Sequence, residues 1–257
     1  MILTVDIGNT NINLGIFNKS ALVCTARLST ERQRTADQYA VEIMNTLMIH
    51  NISKNCLDGA IVCSVVPELN TTVKDAVFEV ASVAPVMITS DLNTGLKIID
   101  NKSDFLGADL AAVSVGAIQK YELPCIIVDL GTATKMILLD ENGMFMGCSI
   151  APGVKTSLEA LAHSASLLPT VELKAPCTSI GTNTLDSMKA GTIFGTAAMI
   201  DGLADRMEAE FGHRIKSVIG TGGLGEEIVK CCKRDIVYDK NLILYGMRKI
   251  YEKQTKR

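Results

Sequence analysis

Two acidic residues, Asp6 and Asp129, each end a short apolar run and are followed two positions later by a glycine. The first stretch reads DIGNT and the second reads DLGTAT. Backbone N–H groups in a glycine turn form a concavity that binds anions, and an adjacent carboxylate suits a phosphate-bound Mg²⁺ or its water shell. Either stretch alone is also an ordinary β-hairpin turn. Their repetition indicates a nucleotide site.

A third glycine turn, TGGLG, contains Gly222 and Gly223 and follows a short apolar strand at 218–219. An amphipathic helix is predicted to begin just after it, near Gly225 or Glu226. Two Asp-x-Gly hairpins and this late Gly-Gly loop together predict a duplicated α/β unit that closes on one nucleotide.

The composition is that of an ordinary globular protein of 257 residues, with 47% hydrophobic and 21% charged residues. The net charge of −3 and the absence of a basic run argue against nucleic acid or an anionic membrane as a partner. No apolar stretch approaches the roughly 20 residues of a membrane span, and the first apolar run stops at Asp6, which disfavours a signal peptide. Eight cysteines without a CxxC pair indicate reduced thiols in a cytosolic protein.

The elements that must position these turns are strands followed by alternating helices and strands. Strands are predicted at 2–5, 12–17, 22–28, 58–65 and 86–88, and helices at 35–49, 70–80 and 108–120. The pattern then restarts with strands at 126–128, 135–140 and 144–151, and with helices at 156–168, 184–211 and 226–232. Three strands that lead into alternating helices and strands are typical of an RNase H-like unit. The repeat predicts an N-terminal domain over 1–117 and a C-terminal domain over 118–257.

Six segments occur in the order and spacing of type III pantothenate kinase, and the chain resembles that family over essentially its whole length. They are DIGNT, GADL, DLGTAT, GCSIAPG, IGTNT and TGGLG. The resemblance implies a kinase that transfers phosphate from ATP to pantothenate, giving 4'-phosphopantothenate in the first step of coenzyme A biosynthesis. It also implies an α/β fold of two RNase H-like (actin-like ATPase) domains with mixed sheets and the nucleotide in the cleft between them.

The same resemblance implies ATP, Mg²⁺ and a monovalent cation, K⁺ or NH₄⁺, as cofactors. It further implies a cytoplasmic homodimer with shared active sites. The small-residue stretch AGTIFGTAAMIDGL is compatible with a self-association surface or with simple internal packing.

Matching positions carry the family's residue roles to this chain. The ATP-binding set implied by the resemblance is Asp6, Ile7, Gly8, Asn9, Thr10, Asn11, Ile12, Asn13, Thr132, Gly222 and Gly223. Asp6 would also hold Mg²⁺ through water, and Asp129 would bind the monovalent cation. The pantothenate-binding set is Gly107, Ala108, Asp109, Leu110 and Thr184, with Asp109 as the general base.

Two of these residues also have ordinary structural readings. Asp109 could be a first-turn acid that the helix dipole favours, and Thr184 could be the N-cap of the helix that follows.

The chain departs from the family pattern at several positions. Leu110 stands where an arginine usually helps to hold the substrate carboxylate, Lys135 replaces a threonine of the second hairpin, and Cys148 replaces a glycine. Lys135 is a candidate cation for the substrate carboxylate, although nothing in the sequence places its ammonium there. These departures keep two alternatives open: a catalytically weak or inactive, nucleotide-binding regulatory paralogue, and a kinase for another small hydroxylated substrate.

Overall fold

The computed structural model of the chain describes residues 1–99, 106–165, 168–169, 171 and 178–255. The chain forms two compact units. One comprises Met1–Leu96, Asn101–Gln119 and Leu242–Arg257, and the other comprises Lys97–Asp100 and Lys120–Asn241. The predicted division at 117/118 lies close to the crossing at 119/120, but the predicted C-terminal domain includes the last helix, which belongs to the first unit.

The first unit contains a five-stranded mixed sheet in the order β3-β2-β1-β4-β5. Its strands are β1 Ile2–Ile7, β2 Asn11–Asn18, β3 Ala21–Ser29, β4 Gly59–Ser64 and β5 Val86–Met87. Strands β1, β2 and β3 pair antiparallel, and β1, β4 and β5 pair parallel. Its helices are α1 Ala36–Ile49, α2 Asn70–Ala81, α3 Ala108–Lys120 and α7 Leu242–Thr255.

Helices cover both faces of this sheet, which is why its central strands are continuously apolar. Alternate residues of a strand point to opposite faces. Ala60 and Val62 of β4 therefore belong to the core cluster under α1 and α2, while Ile61 and Cys63 belong to a second cluster with α3 and α7. On that second face α3 and α7 approach so closely that a Cβ on Gly246 would lie 1.8 Å from the carbonyl oxygen of Ala112.

The second unit contains a six-stranded mixed sheet in the order β11-β10-β7-β8-β9-β6. Its strands are β6 Lys97–Ile98, β7 Cys125–Leu130, β8 Ala133–Leu139, β9 Met144–Pro152, β10 Ser217–Thr221 and β11 Val237–Tyr238. Its helices are α4 Val154–Ser164, α5 Thr184–Phe211 and α6 Gly225–Val229. The core lies between α5 and the sheet, where Ile193 and Ile200 pack with Ile126 and Val128.

The two sheets repeat one strand order, because β9-β8-β7-β10-β11 corresponds to β3-β2-β1-β4-β5. The predicted duplication is therefore confirmed. Within it, α4 begins and ends earlier than predicted, and α6 ends at Val229 rather than at 232. The edge strands β6 and β11 and the helix α7 were not predicted.

Candidate active site

The first hairpin forms a fixed three-residue turn between β1 and β2. The N–H of Gly8 donates to the carbonyl oxygen of Asn11 at 3.0 Å. The hydroxyl and N–H of Thr30, just after β3, donate to the carbonyl oxygens of Gly8 and Thr10 at 2.7 and 3.1 Å. A Cβ on Gly8 would lie 3.1 Å from the Asn11 oxygen, which is tight. The loop is thus tied to two strands.

Within the predicted ATP-binding stretch, the side chains divide into two groups. Ile7 and Ile12 are core residues, 0% and 1% exposed, so only their backbone can reach a ligand. Asn9 and Thr10 are exposed at the tip of the turn, and Gly8 and Asn11 are half-buried. A phosphate at this turn would therefore meet backbone groups and short polar side chains.

Asp6 lies at the end of β1, directly opposite Asn13 in the antiparallel register, and it is 9% exposed. The Nδ2 group of Asn13 donates to Oδ2 of Asp6 at 2.9 Å. An amide is an uncharged donor, so this contact orients the carboxylate without neutralising it. Mg²⁺ is commonly held by one or two carboxylates together with waters and phosphates, and Asp6 fits that kind of site.

The GADL segment forms the first turn of α3. The N–H of Leu110 donates to Oδ1 of Asp109 at 2.8 Å, and a Cβ on Gly107 would lie 2.6 Å from the same oxygen. Asp109 is half-buried, and Leu110 is only 5% exposed. Asp109 is therefore a first-turn acid of α3, as the structural interpretation of this residue predicts. That position is compatible with proton transfer, because a carboxylate has two oxygens and about four acceptor sites.

The second hairpin packs against the start of α4. The N–H of Gly153 and the hydroxyl of Thr156 donate to the carbonyl oxygen of Thr132 at 3.0 and 2.9 Å. A Cβ on Gly153 would lie 2.3 Å from the carbonyl oxygen of Gly131. The helix start thereby fixes the two-residue turn, and Thr132 stands exposed at its tip.

Asp129, at the end of β7, faces Lys135 of β8 in the antiparallel register. The Nζ of Lys135 lies 3.1 Å from Oδ2 of Asp129, and each side chain is 17% exposed. Lys135, which the sequence makes a candidate cation for the substrate carboxylate, thus pairs with Asp129 in the structure.

The Gly-Gly loop lies beside the second hairpin, because β10 pairs parallel with β7 and Thr221 is level with Asp129. Gly222 has φ +95°, and a Cβ there would lie 2.4 Å from the carbonyl oxygen of Leu130. The hydroxyl of Tyr238 donates to the carbonyl oxygen of Gly222 at 2.6 Å. Position 222 therefore favours glycine, which tolerates both the left-handed φ and the close approach of the Leu130 carbonyl oxygen.

A pocket of about 160 Å³ opens next to this loop. Its lining includes Gly223, Glu226 and Glu227, together with apolar side chains from α4 and α5. The second unit therefore gathers Thr132, Gly222 and Gly223 at one edge of its sheet, beside a pocket.

Thr184 is the first residue of α5 and is exposed. The N-cap is Asn183, whose side-chain oxygen accepts from the N–H of Asp186 at 3.0 Å. The alternative prediction of Thr184 as the cap was therefore wrong by one residue, because Asn183 has the extended, non-helical φ/ψ of an N-cap and its side chain reaches forward to an exposed N–H of the first turn.

Among the residues that the structure describes, no three His, Cys, Asp or Glu side chains are grouped as metal ligands. Mg²⁺ held by one or two carboxylates usually keeps several waters and also binds substrate phosphates. Burial raises the pKa of the Cys125 and Cys232 thiols to about 12, so both remain protonated at neutral pH. No helix in the described ranges has the length and apolar character that crossing a membrane requires.

Comparisons with known proteins agree with this geometry. A family model described as type III pantothenate kinase matches residues 2–206. Type III pantothenate kinase of Agathobacter rectalis is 33% identical over 100% of this chain and 99% of its own. The enzyme of the same name from Halalkalibacterium halodurans is 38% identical, over 99% of this chain and 100% of its own.

Among solved structures, the activator of 2-hydroxyisocaproyl-CoA dehydratase from Clostridium difficile, with bound ADPNP, superposes with a TM-score of 0.62. It is 14% identical, and the match covers 100% of this chain and 97% of that one. At this identity the likeness concerns the fold alone, and it confirms the predicted α/β fold with mixed sheets.

Proposed function

The chain belongs to the type III pantothenate kinase family and phosphorylates pantothenate with ATP in coenzyme A biosynthesis, and we propose which of its residues carry that reaction. Phosphoryl transfer depends mainly on positioning and on neutralising charge. The chain must therefore hold the phosphates, and it must remove a proton from the attacking hydroxyl.

The first hairpin is proposed to hold the ATP phosphates. The observation that supports this is the turn at Gly8–Thr10, tied down by Thr30, beside the oriented carboxylate of Asp6. Asp6 would hold Mg²⁺ through water. Held there, the ion would supply positive charge that offsets the negative charge developing on the transferred phosphoryl group.

The second unit is proposed to hold the remainder of the nucleotide. Thr132 and the Gly222–Gly223 loop lie at one sheet edge, and Glu226 and Glu227 line the pocket beside them, with both carboxylates also within ion-pair distance of Lys230. Carboxylates accept hydrogen bonds from hydroxyl groups, so these two side chains suit the ribose of ATP.

Asp109 is proposed as the general base that takes the proton from the pantothenate hydroxyl, with Gly107, Ala108, Leu110 and Thr184 around the substrate. Because Leu110 is buried, it would contribute shape or backbone groups and no charge. The carboxylate of Asp109 is fixed at the start of α3 by the N–H of Leu110, which leaves its position well defined for proton transfer.

A coupled ATP-turnover assay with pantothenate tests this assignment. Asp109→Asn should lower turnover by about 10²–10⁴-fold, because the amide cannot accept the proton, while ATP affinity stays nearly unchanged. Asp37→Asn is the matched control, since Asp37 is also a first-turn acid, in α1.

The outcome separates the alternatives. Equal turnover in wild type and Asp109→Asn would remove the general-base role. A wild type that binds ATP but turns over no pantothenate would favour the regulatory paralogue or another hydroxylated substrate.

The protein is further proposed to act as a cytoplasmic homodimer. In the small-residue stretch of α5, Ile193 and Ala197 face the core, whereas a Cβ built on Gly191 or Gly195 would, beyond the adjacent helix backbone, have no contact within 4 Å among the described parts of the chain. The stretch therefore has an internal face and an open glycine face, and the open face supports self-association.

A further inference from the structure

We propose that the ammonium group of Lys135 is a built-in cation of the second hairpin, so that this kinase needs no exchangeable potassium or ammonium ion at Asp129. The proposal rests on the assignment of the second hairpin to the nucleotide site. It replaces the expectation that Asp129 binds a monovalent cation.

The first argument for a built-in cation comes from a comparison of the two hairpins. In each, the aspartate at the end of the inner strand accepts a hydrogen bond from the residue directly opposite. Asn13 donates to Oδ2 of Asp6 at 2.9 Å, and Lys135 donates to Oδ2 of Asp129 at 3.1 Å. The duplicated fold thus places a neutral donor at one carboxylate and a positive charge at the other.

The second argument comes from the surroundings of the ion pair between Lys135 and Asp129. Both side chains are 17% exposed, and reduced exposure to water strengthens the attraction between the charges. Across the sheet, the row level with this pair continues to Thr221 on one side and Ile150 on the other. That row therefore contains one negative and one positive formal charge.

A second cation does not fit this arrangement. An exchangeable ion on Asp129 would stand a few ångströms from the ammonium, where like charges repel. The lysine is attached to the chain and is present at every turnover, whereas an ion must be taken from solution. Its charge lies where β7 leads into the turn at Gly131 and Thr132, so it supplies fixed positive potential at the proposed nucleotide edge.

The experiment compares potassium with tetramethylammonium, a cation too large for such a site, at equal ionic strength. For the wild-type protein, pantothenate turnover and the midpoint of thermal unfolding should be the same in both salts, with turnover within about twofold. Lys135→Met removes the charge and keeps most of the side-chain volume. Without potassium this variant should lose about ten- to a hundredfold in turnover, the usual worth of one charge-assisted contact, and potassium should restore it.

Lys120→Met is the matched control, because Lys120 also pairs with an aspartate, Asp239, in the same unit. Its unfolding midpoint should fall without any specific response to potassium. The thermal unfolding midpoint of Lys135→Met should be higher in potassium than in tetramethylammonium. This measurement does not depend on enzyme activity. The ion-pair proposal is therefore tested even if pantothenate proves not to be the substrate.

Two results would overturn the proposal. One is a wild-type protein that loses tenfold or more in turnover, or shows a lower unfolding midpoint, when potassium is withdrawn. The other is a Lys135→Met variant that responds to potassium no more than Lys120→Met does. If Lys135→Met does not fold, the wild-type comparison alone still decides.

Discussion

Leu110 is where the proposed pantothenate side differs most from the family pattern. Its side chain is 5% exposed at the start of α3, so the space that an arginine would need is already occupied. At this residue the chain has an apolar contact in place of a charge.

Leu110→Arg should therefore destabilise the protein, because it buries a guanidinium where an apolar side chain packs. We expect a loss of about 2–5 kcal/mol in the free energy of unfolding. Urea unfolding measures it, and Leu110→Met, which conserves volume, should cost less than about 1.5 kcal/mol. A stable Leu110→Arg variant with tighter pantothenate binding would contradict this reading and show that the pocket admits the charge.

Single residues also mark how far the site could be predicted. Asp6 and Asp129 were identified correctly as strand-end acids, because apolar runs and glycines fix their local setting. The pairing of Lys135 with Asp129 could not be predicted, since a change of one residue in the turn would move Lys135 to the other face of the sheet. The N-cap of α5 was misplaced by one residue, because Asn183 and Thr184 are adjacent and both are good capping residues.

At the scale of elements, the Gly-Gly loop depends on close packing against β7. Gly222 combines a left-handed φ with a carbonyl oxygen 2.4 Å from where its Cβ would be. The effect of the left-handed φ can be separated from the effect of the close contact by comparison with a second glycine that has the left-handed φ alone.

Gly222→Ala should displace the loop and weaken ATP binding. Gly212, just after α5, has φ +77° but open space around it. Gly212→Ala should therefore cost only the left-handed strain, about 1–2 kcal/mol, and leave ATP affinity unchanged. Gly222→Ala should cost more than that in denaturant unfolding. Equal costs for the two variants would show that the contact with Leu130 is readily relieved.

An ion cluster fixes the C-terminal part of α5 to the segment that follows α6. Arg234 donates to Asp205 and to Glu208, each at 2.6 Å, and the N–H of Ile215 donates to Glu208 at 2.8 Å. The hydrogen bond from Arg234, followed by that from Ile215, lowers the pKa of Glu208 below its usual 4.5.

Because the folded pKa is lowered, Glu208 stabilises the protein above pH 4.5, and this contribution is lost as the pH falls through the folded value. Glu208→Gln should reduce the free energy of unfolding at neutral pH and flatten its decline in acid. Urea unfolding at a series of pH values measures both effects. Glu210→Gln, an exposed change in the same helix, should do neither, and an unchanged acid profile for Glu208→Gln would refute the cluster's role.

Among the elements, the hairpins and long helices could be predicted from local periodicity, whereas α7 was missed. The buried residues of α7 include Leu244, Met247 and Ile250, but their partners lie far away in sequence. The close contact of Gly246 with Ala112 leaves no signal in either local stretch. Assigning this helix to a unit therefore required the tertiary structure.

At the scale of the whole molecule, the two sheets repeat one strand order, and only the first is completed by a helix from the far end of the described chain. The open glycine face of α5 is relevant to assembly, because, beyond the adjacent helix backbone, no other residue that the structure describes lies within 4 Å of where a Cβ on Gly191 or Gly195 would be. A large charged side chain there should fit the isolated protomer and obstruct a partner.

We expect the wild type to sediment as a dimer at micromolar concentration and Gly195→Arg to sediment as a monomer with unchanged far-ultraviolet circular dichroism. Ala209→Arg, at an exposed position beyond the small-residue stretch of the same helix, is the control and should remain dimeric. A wild type that is monomeric throughout this range would refute the dimer.

Helix α7 packs on β1 and β4, although translation reaches it only after residues 120–241. At about 5–20 residues per second, a ribosome needs roughly 6–25 s to make that intervening stretch. During this interval the nascent first sheet lacks the cover that Leu244 and Met247 later give to Phe17 and Ile61. The apolar face of the first sheet can therefore be covered completely only after the whole second unit has been synthesised.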